Sequence, residues 1–209
     1  MKYLTRNSLI LLSLLSFSLS WCQTETSESN ESNSFFKNES FANFKIGGDY
    51  AIPIGNTFTG DNLDSSAGFS FEVSFNLNSP IIFGFRHSNS THDVKDKSLV
   101  GNYSTTHNRL NGLLIGYQFF TSSKIRFTPT IGVGKVSYRQ SINGNKFYDS
   151  GTALWINGEV SFHFTKWLAL YGNATLQKDY LNMDVPSELE DYFKYGQFLR
   201  LGLGIKFVI

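Results

Sequence analysis

Cysteine is nearly absent from this chain: Cys22 is the only one in 209 residues. One thiol cannot build a disulfide framework, and if the N-terminal leader is cut after Cys22 the mature chain has no thiol chemistry either. Proline is scarce, at four residues, which leaves long stretches free to be extended. Beyond residue 22 no run approaches the ~18 continuous apolar residues that a membrane helix needs. Charge of one sign is missing too. The 18 basic and 17 acidic residues nearly cancel, and no basic run breaks the balance, so a nucleic-acid partner is not expected. Gly-x-Ser-x-Gly, His-Glu-x-x-His and phosphate-loop patterns do not occur. The stretch RHSNSTHDVKD (86–96) brings His87, His92 and Asp93 close in sequence. Zinc or copper needs three or four ligands that converge in space, and GDNLDSSAG (60–68) lacks the ligand alternation and closing Glu of a calcium loop. No cofactor and no metal are expected.

What the chain does have begins at its N-terminus. Lys2 and Arg6 precede the apolar LILLSLLSFSL (9–19), and Ser20 and Cys22 follow as small residues. This is the pattern of a secretory signal peptide over 1–22, too short to span a bilayer, with cleavage expected after Cys22. Bulky Trp21 in front of Cys22 argues against a lipid-modified cysteine. Residues 23–41 are polar and acidic without periodicity, and are expected to be a flexible segment.

From residue 42 onwards, apolar and polar residues alternate with a period of two in eight segments. In FSFEVSFNL (69–77), Phe69, Phe71, Val73, Phe75 and Leu77 share one face. In LWINGEVSFHF (154–164), Leu154, Ile156, Val160, Phe162 and Phe164 oppose Trp155, Asn157, Glu159, Ser161 and His163. Connectors alternate in length: NSP (78–80), TSSK (121–124) and TKW (165–167) are tight, whereas 56–66, 88–106, 141–151 and 180–196 are long and polar. Eight strands, short turns at one end and long loops at the other predict an antiparallel up-and-down barrel over 42–209.

Two barrels would give this alternation. A soluble lipocalin-like barrel points its apolar face at a ligand and coats its outside with charge. A transmembrane barrel points its apolar face at lipid. The polar face here is mostly Gly, Ser, Thr and Asn, with few charges of either sign. That suits a lumen just wide enough for its own side chains and predicts the transmembrane form. Trp167, Tyr171, Tyr50 and Tyr117 are candidates for anchoring at the membrane interface.

The closing segment RLGLGIKF (200–207) resembles the C-terminal targeting signal of bacterial outer-membrane barrels: Arg200, Gly202, Ile205 and Phe207 match it in order, although the chain runs on to Val208 and Ile209. With the leader and the eight segments, residues 42–209 resemble a small OmpA/OmpX-type outer-membrane protein beta-barrel domain, a porin-like family. The resemblance implies a Gram-negative outer membrane, contact with its lipid and handling by the barrel-assembly machinery.

Arginine and carboxylate inside a narrow lumen should pair, since an unpaired buried charge is costly. The expected lumen network is Lys45, Asp49, Glu72, Arg86, Arg126, Glu159, His163, Arg200 and Lys206, plugging the barrel against ion flow. A narrow pore for small solutes is the alternative. Lipid A deacylases of similar shape carry His and Ser two residues apart beside a Glu. The triplets His87-Ser88-Asn89 and His163-Phe164-Thr165 do not supply that nucleophile, so no enzyme is expected. The role then falls to structural support, or to surface contact with an extracellular partner through loops 88–106 and 180–196. In the latter, Ser187 and Glu190 form a capping-box pattern behind Pro186, predicting a short helix over ELEDYF (188–193). That loop either meets a partner or closes the lumen.

Overall fold

A computed structural model of the chain describes residues 40–209, apart from 77–79, 96, 98–102, 143–144 and 184. The expected signal peptide and nearly all of the polar segment after it lie outside the described residues. Eight strands make the wall: β1 (Ala42–Pro53), β2 (Ser66–Asn76), β3 (Ile81–Asp93), β4 (Thr105–Tyr117), β5 (Ile125–Ile142), β6 (Asn145–His163), β7 (Leu168–Asn182) and β8 (Tyr195–Val208). Two short helices, α1 (Phe58–Asn62) and α2 (Glu190–Phe193), lie in the β1–β2 and β7–β8 connections.

Each strand pairs antiparallel with its sequence neighbour, and β1 pairs with β8 to close the barrel. The seam runs from Asn43↔Val208 to Pro53↔Phe198. Amides of Phe41 and Ala42 donate to the Ile209 carbonyl, and Ile209 donates back to Ala42 (2.9 Å). Closure leaves no sheet edge between β1 and β8, which lipid would not tolerate.

The side-chain alternation resolves into two faces. Outward positions carry Phe44, Phe85, Leu113, Ile131, Ile156, Leu176 and Leu203, all exposed; Leu203 is 70% accessible and Leu113 66%. In water such a surface would be an aggregation hazard, whereas around a barrel it is a lipid-facing belt. The belt's upper edge is a ring of outward polar residues: His87, Asn111, Lys135 and Thr152 pair in register around β3 to β6, and Lys178 pairs with Gln197 across β7 and β8. Tyr50 and Tyr117 are outward and exposed near opposite edges, and Trp167 is exposed in the β6–β7 turn. Tyr171 is buried in the lumen and makes no interfacial anchor. A Cβ at Gly47 would lie 2.6 Å from its hydroxyl, so glycine opposite gives the ring its space.

The long connections are shorter than the sequence suggested. Residues 88–93 and 105–106 belong to β3 and β4, and residues 180–182 extend β7. The stretch 141–151 is almost wholly strand: β5 and β6 stay paired through Tyr138↔Asp149, Arg139↔Tyr148 and Ile142↔Asn145. Aromatic and β-branched residues keep that hairpin extended well above the belt.

Candidate functional site: the barrel lumen and its mouth

Inward positions of the eight strands converge on a lumen filled by polar side chains. Its charges form two clusters rather than one network. In the lower half, Lys45 from β1 pairs with Glu72 from β2 and with Glu159 from β6 (2.5 Å); Lys206 from β8 reaches the other Glu159 oxygen at 3.1 Å. All four side chains are buried, and two cations facing two carboxylates leave no net charge in the cluster. Lys45 also stands 5.8 Å from the Tyr171 ring.

Higher up, Arg200 ties its own strand β8 to four others. Its guanidinium donates to Asp49 (2.8 Å), Gln177 (2.9 Å), Asn108 (2.9 Å) and Ser90 (3.3 Å). Arg86 lies between the clusters, opposite Glu72 in register, and donates to Thr175 at 3.2 Å. Near the short-turn end, Arg126 donates to the Ser123 carbonyl (3.3 Å), and the His163 ring meets the Ser161 hydroxyl at 3.3 Å. Of the targeting-signal residues, Arg200 and Gly202 point inward, while Ile205 and Phe207 lie on the lipid side of β8.

Sequence reasoning missed the neighbours of Arg200. Tyr138 donates to Asp179 (2.5 Å), Gln177 donates to the same carboxylate (2.7 Å), and the pair lies beside Asn108. Tyr138 and Asp179 stand on inward positions of strands that run past their expected ends, so extending the period-two pattern would have found them.

Above these polar layers the mouth is closed by apolar groups. Phe58 of α1 packs on Tyr138 and on Phe193 of α2, with centroids 5.8 and 5.4 Å apart. Leu63, Leu110, Val136 and Phe198 complete a buried cluster. Thr57 caps α1, its hydroxyl accepting from the Gly60 amide at 3.3 Å. The helix expected over 188–193 is shorter, and the capping box is not formed: Leu189 occupies the N-cap without a side-chain bond. The two helices are joined by Asn62 donating to the Tyr192 hydroxyl (2.7 Å), which donates to Asp61 (3.1 Å). Phe193 of the 180–196 loop packs into the buried cluster at the mouth.

The α1 segment is strapped to β3 by a Leu63↔Val94 bridge and by His92. This buried ring lies five residues beyond His87, above the belt. Its Nδ1–H donates to the Asp64 carbonyl (2.7 Å), which leaves Nε2 to accept from the Ser90 hydroxyl (2.8 Å). Burial, reinforced by the nearby Arg200 charge, holds its pKa below the usual imidazole range. His92 therefore points inward, while His87 points outward to Asn111 (2.7 Å) and Asp93 lies outward and exposed. Strand alternation thus separates the would-be metal ligands. Among the described residues no three His, Cys, Asp or Glu side chains converge as a metal site.

A closed eight-stranded barrel with a lipid-facing belt and a polar, charge-paired lumen defines a transmembrane β-barrel protein. The model of the outer membrane protein beta-barrel domain family matches residues 9–207, and the chain belongs to that family. It is an outer-membrane protein of a Gram-negative bacterium, bathed in that membrane's lipid. Among solved structures it is similar to Neisserial surface protein A (12% identity, 80% of this chain and 97% of that one, TM-score 0.60). It is also similar to OprG from Pseudomonas aeruginosa (13%, 83% and 99%, TM-score 0.57) and to a major outer membrane protein from Thermus thermophilus (13%, 80% and 99%, TM-score 0.51). At these identities the shared property is the fold. No curated protein matches the chain.

Proposed function

We propose that the protein is a non-enzymatic, non-conducting barrel that braces the outer membrane and meets the exterior through its loops and long β5–β6 hairpin. The observation that carries this reading is double closure. The Lys45–Glu72–Glu159–Lys206 cluster crosses the lower lumen, and the Phe58–Phe193–Phe198 cluster seals the mouth. An ion would have to break buried charge pairs and then displace an apolar lid. The Ser161–His163 pair lies fully buried in the same lumen, beside Glu159 on one strand.

Planar-bilayer recording tests the reading. Wild-type protein is expected to give no stable channel. Glu159→Leu leaves Lys45 and Lys206 with Glu72 as the cluster's sole carboxylate, and breaking a buried pair costs about 3–5 kcal/mol. The variant is expected to unfold at lower urea concentration while still giving no current. A large, stable conductance in either protein would make the narrow pore the correct reading.

A further inference from the structure

On β4 to β7 the upper outward face is cationic, whereas Asp93 is an outward, exposed carboxylate on neighbouring β3. Asp149 and Asp179 occupy inward positions there, Asp149 opposite Tyr138 in register. The outward positions of β4 to β7 hold Arg109, Lys135, Arg139 and Lys178, and among the described residues none of those positions carries a carboxylate. Register sets Arg109 opposite Ser137, diagonally between Lys135 (opposite Asn111) and Arg139 (opposite His107). Arg109 and Lys135 are exposed; Arg139 lies 5.9 Å from the Tyr148 ring, and Lys178 lies 4.5 Å from the Tyr195 ring.

Directly beneath, the lipid-facing wall is hollowed. An open depression of ≈ 840 Å³ is lined by Leu113, Ile131, Val133, Leu154 and Leu176, with Lys178 at its rim. A second depression below it shares Ile115, Ile131, Ile156 and Leu176 with the first and is lined by Gly158 and Ala174, which are paired in register and add no bulk to the wall.

We propose that this face is a docking site for an outer-leaflet lipid whose headgroup bears phosphate. Lys135 is two residues above Val133, and Arg109 four above Leu113, which places both cations at headgroup level. Arg and Lys at a membrane surface attract anionic headgroups, and Arg engages phosphate oxygens in pairs. The depression opens onto hydrocarbon, so acyl chains are what can fill it. A soluble polyanion would meet the cations but have no use for the hollow below them.

Native mass spectrometry of the full folded chain in non-ionic detergent tests the site, with diphosphorylated lipid A, the same lipid stripped of phosphate, and phosphatidylcholine as probes. Wild-type protein is expected to retain the diphosphorylated lipid about tenfold better than the stripped one. Arg109→Gln/Lys135→Gln/Arg139→Gln should erase that preference and leave phosphatidylcholine unchanged. Ala174→Phe should lower retention of both lipid A forms by filling the hollow. Lys124→Gln/Lys166→Gln, at the short-turn end, should change nothing. Equal retention of stripped and phosphorylated lipid, or equal loss in the short-turn variant, would overturn the site. Displacement of bound lipid by dissolved heparin at equal concentration would reassign the cations to a soluble polyanion. Cold-SDS migration checks that each variant is folded. Should the triple variant not fold, wild-type protein decides: raising salt from 0.05 to 0.5 M must release the phosphorylated lipid and spare the stripped one.

Discussion

Trp155 shows how a narrow lumen is packed residue by residue. Its indole has room because Gly112 and Gly132 stand opposite: a Cβ at Gly112 would come within 2.6 Å of the ring, and one at Gly132 closer still. Overpacking of this kind costs about 1–3 kcal/mol. Gly132→Val is therefore expected to lower the urea midpoint of the folded barrel, and adding Trp155→Leu should recover most of the loss. An unchanged midpoint in the single variant would show that the indole moves aside freely. Trp155 was readable as a lumen residue from the alternation of 154–164, as was Glu159. Tyr171 was readable too, because it alternates with Leu170, yet its aromatic character suggested an interfacial anchor. Pairing was less legible than placement. Two-residue periodicity says which face a side chain takes, but Arg200 meets Asp49 because β8 closes on β1, a contact 151 residues apart.

At the scale of elements, the lid was the part least visible in the sequence. A five-residue helix and a four-residue one have too few turns to show an apolar stripe, and their stability comes from each other and from the strands beneath. The β5–β6 extension did leave a signal: Asn143–Gly144 between alternating runs is a hairpin dipeptide, although those two residues lie outside the described ones. The strap at His92 gives the lid a pH dependence. The groups facing the ring are Ser90, the Asp64 carbonyl and, more distantly, Arg200, Asp49 and Asp93. A folded-state pKa below the unfolded ~6.5 means the unfolded strap binds the extra proton more readily. Stability is then complete above pH 6.5 and is lost as pH falls below it. Amides of 58–64 are expected to exchange hydrogen faster at pH 5 than at pH 7.5, after correction for intrinsic rates, and His92→Gln should flatten the difference. Equal pH dependence in the variant would assign it to the carboxylates instead.

For the whole molecule, the belt dictates where charge can be tolerated. Leu203 is the outward residue midway along the lipid-facing run of β8, from Leu199 to Phe207. Arginine near the bilayer midplane of such a barrel costs about 2–4 kcal/mol, falling towards zero at the interfaces. Leu203→Arg should destabilise vesicle-inserted protein by that amount, measured by urea unfolding, while Gln197→Arg at the belt edge should be close to neutral. Equal effects would place the belt elsewhere. The seam between β1 and β8 also governs how the barrel can come into being. Asn43 must find Val208, the longest loop closure the fold demands, and such non-local pairing is slow. Until it happens, an intermediate carries two raw strand edges, and each unsatisfied backbone group in hydrocarbon costs several kcal/mol. A seven-stranded half-product is thus not a smaller barrel but a stranded one. Closure of that seam is therefore expected to be all-or-none in the bilayer, and a catalyst of insertion would act by sheltering those two edges until they meet.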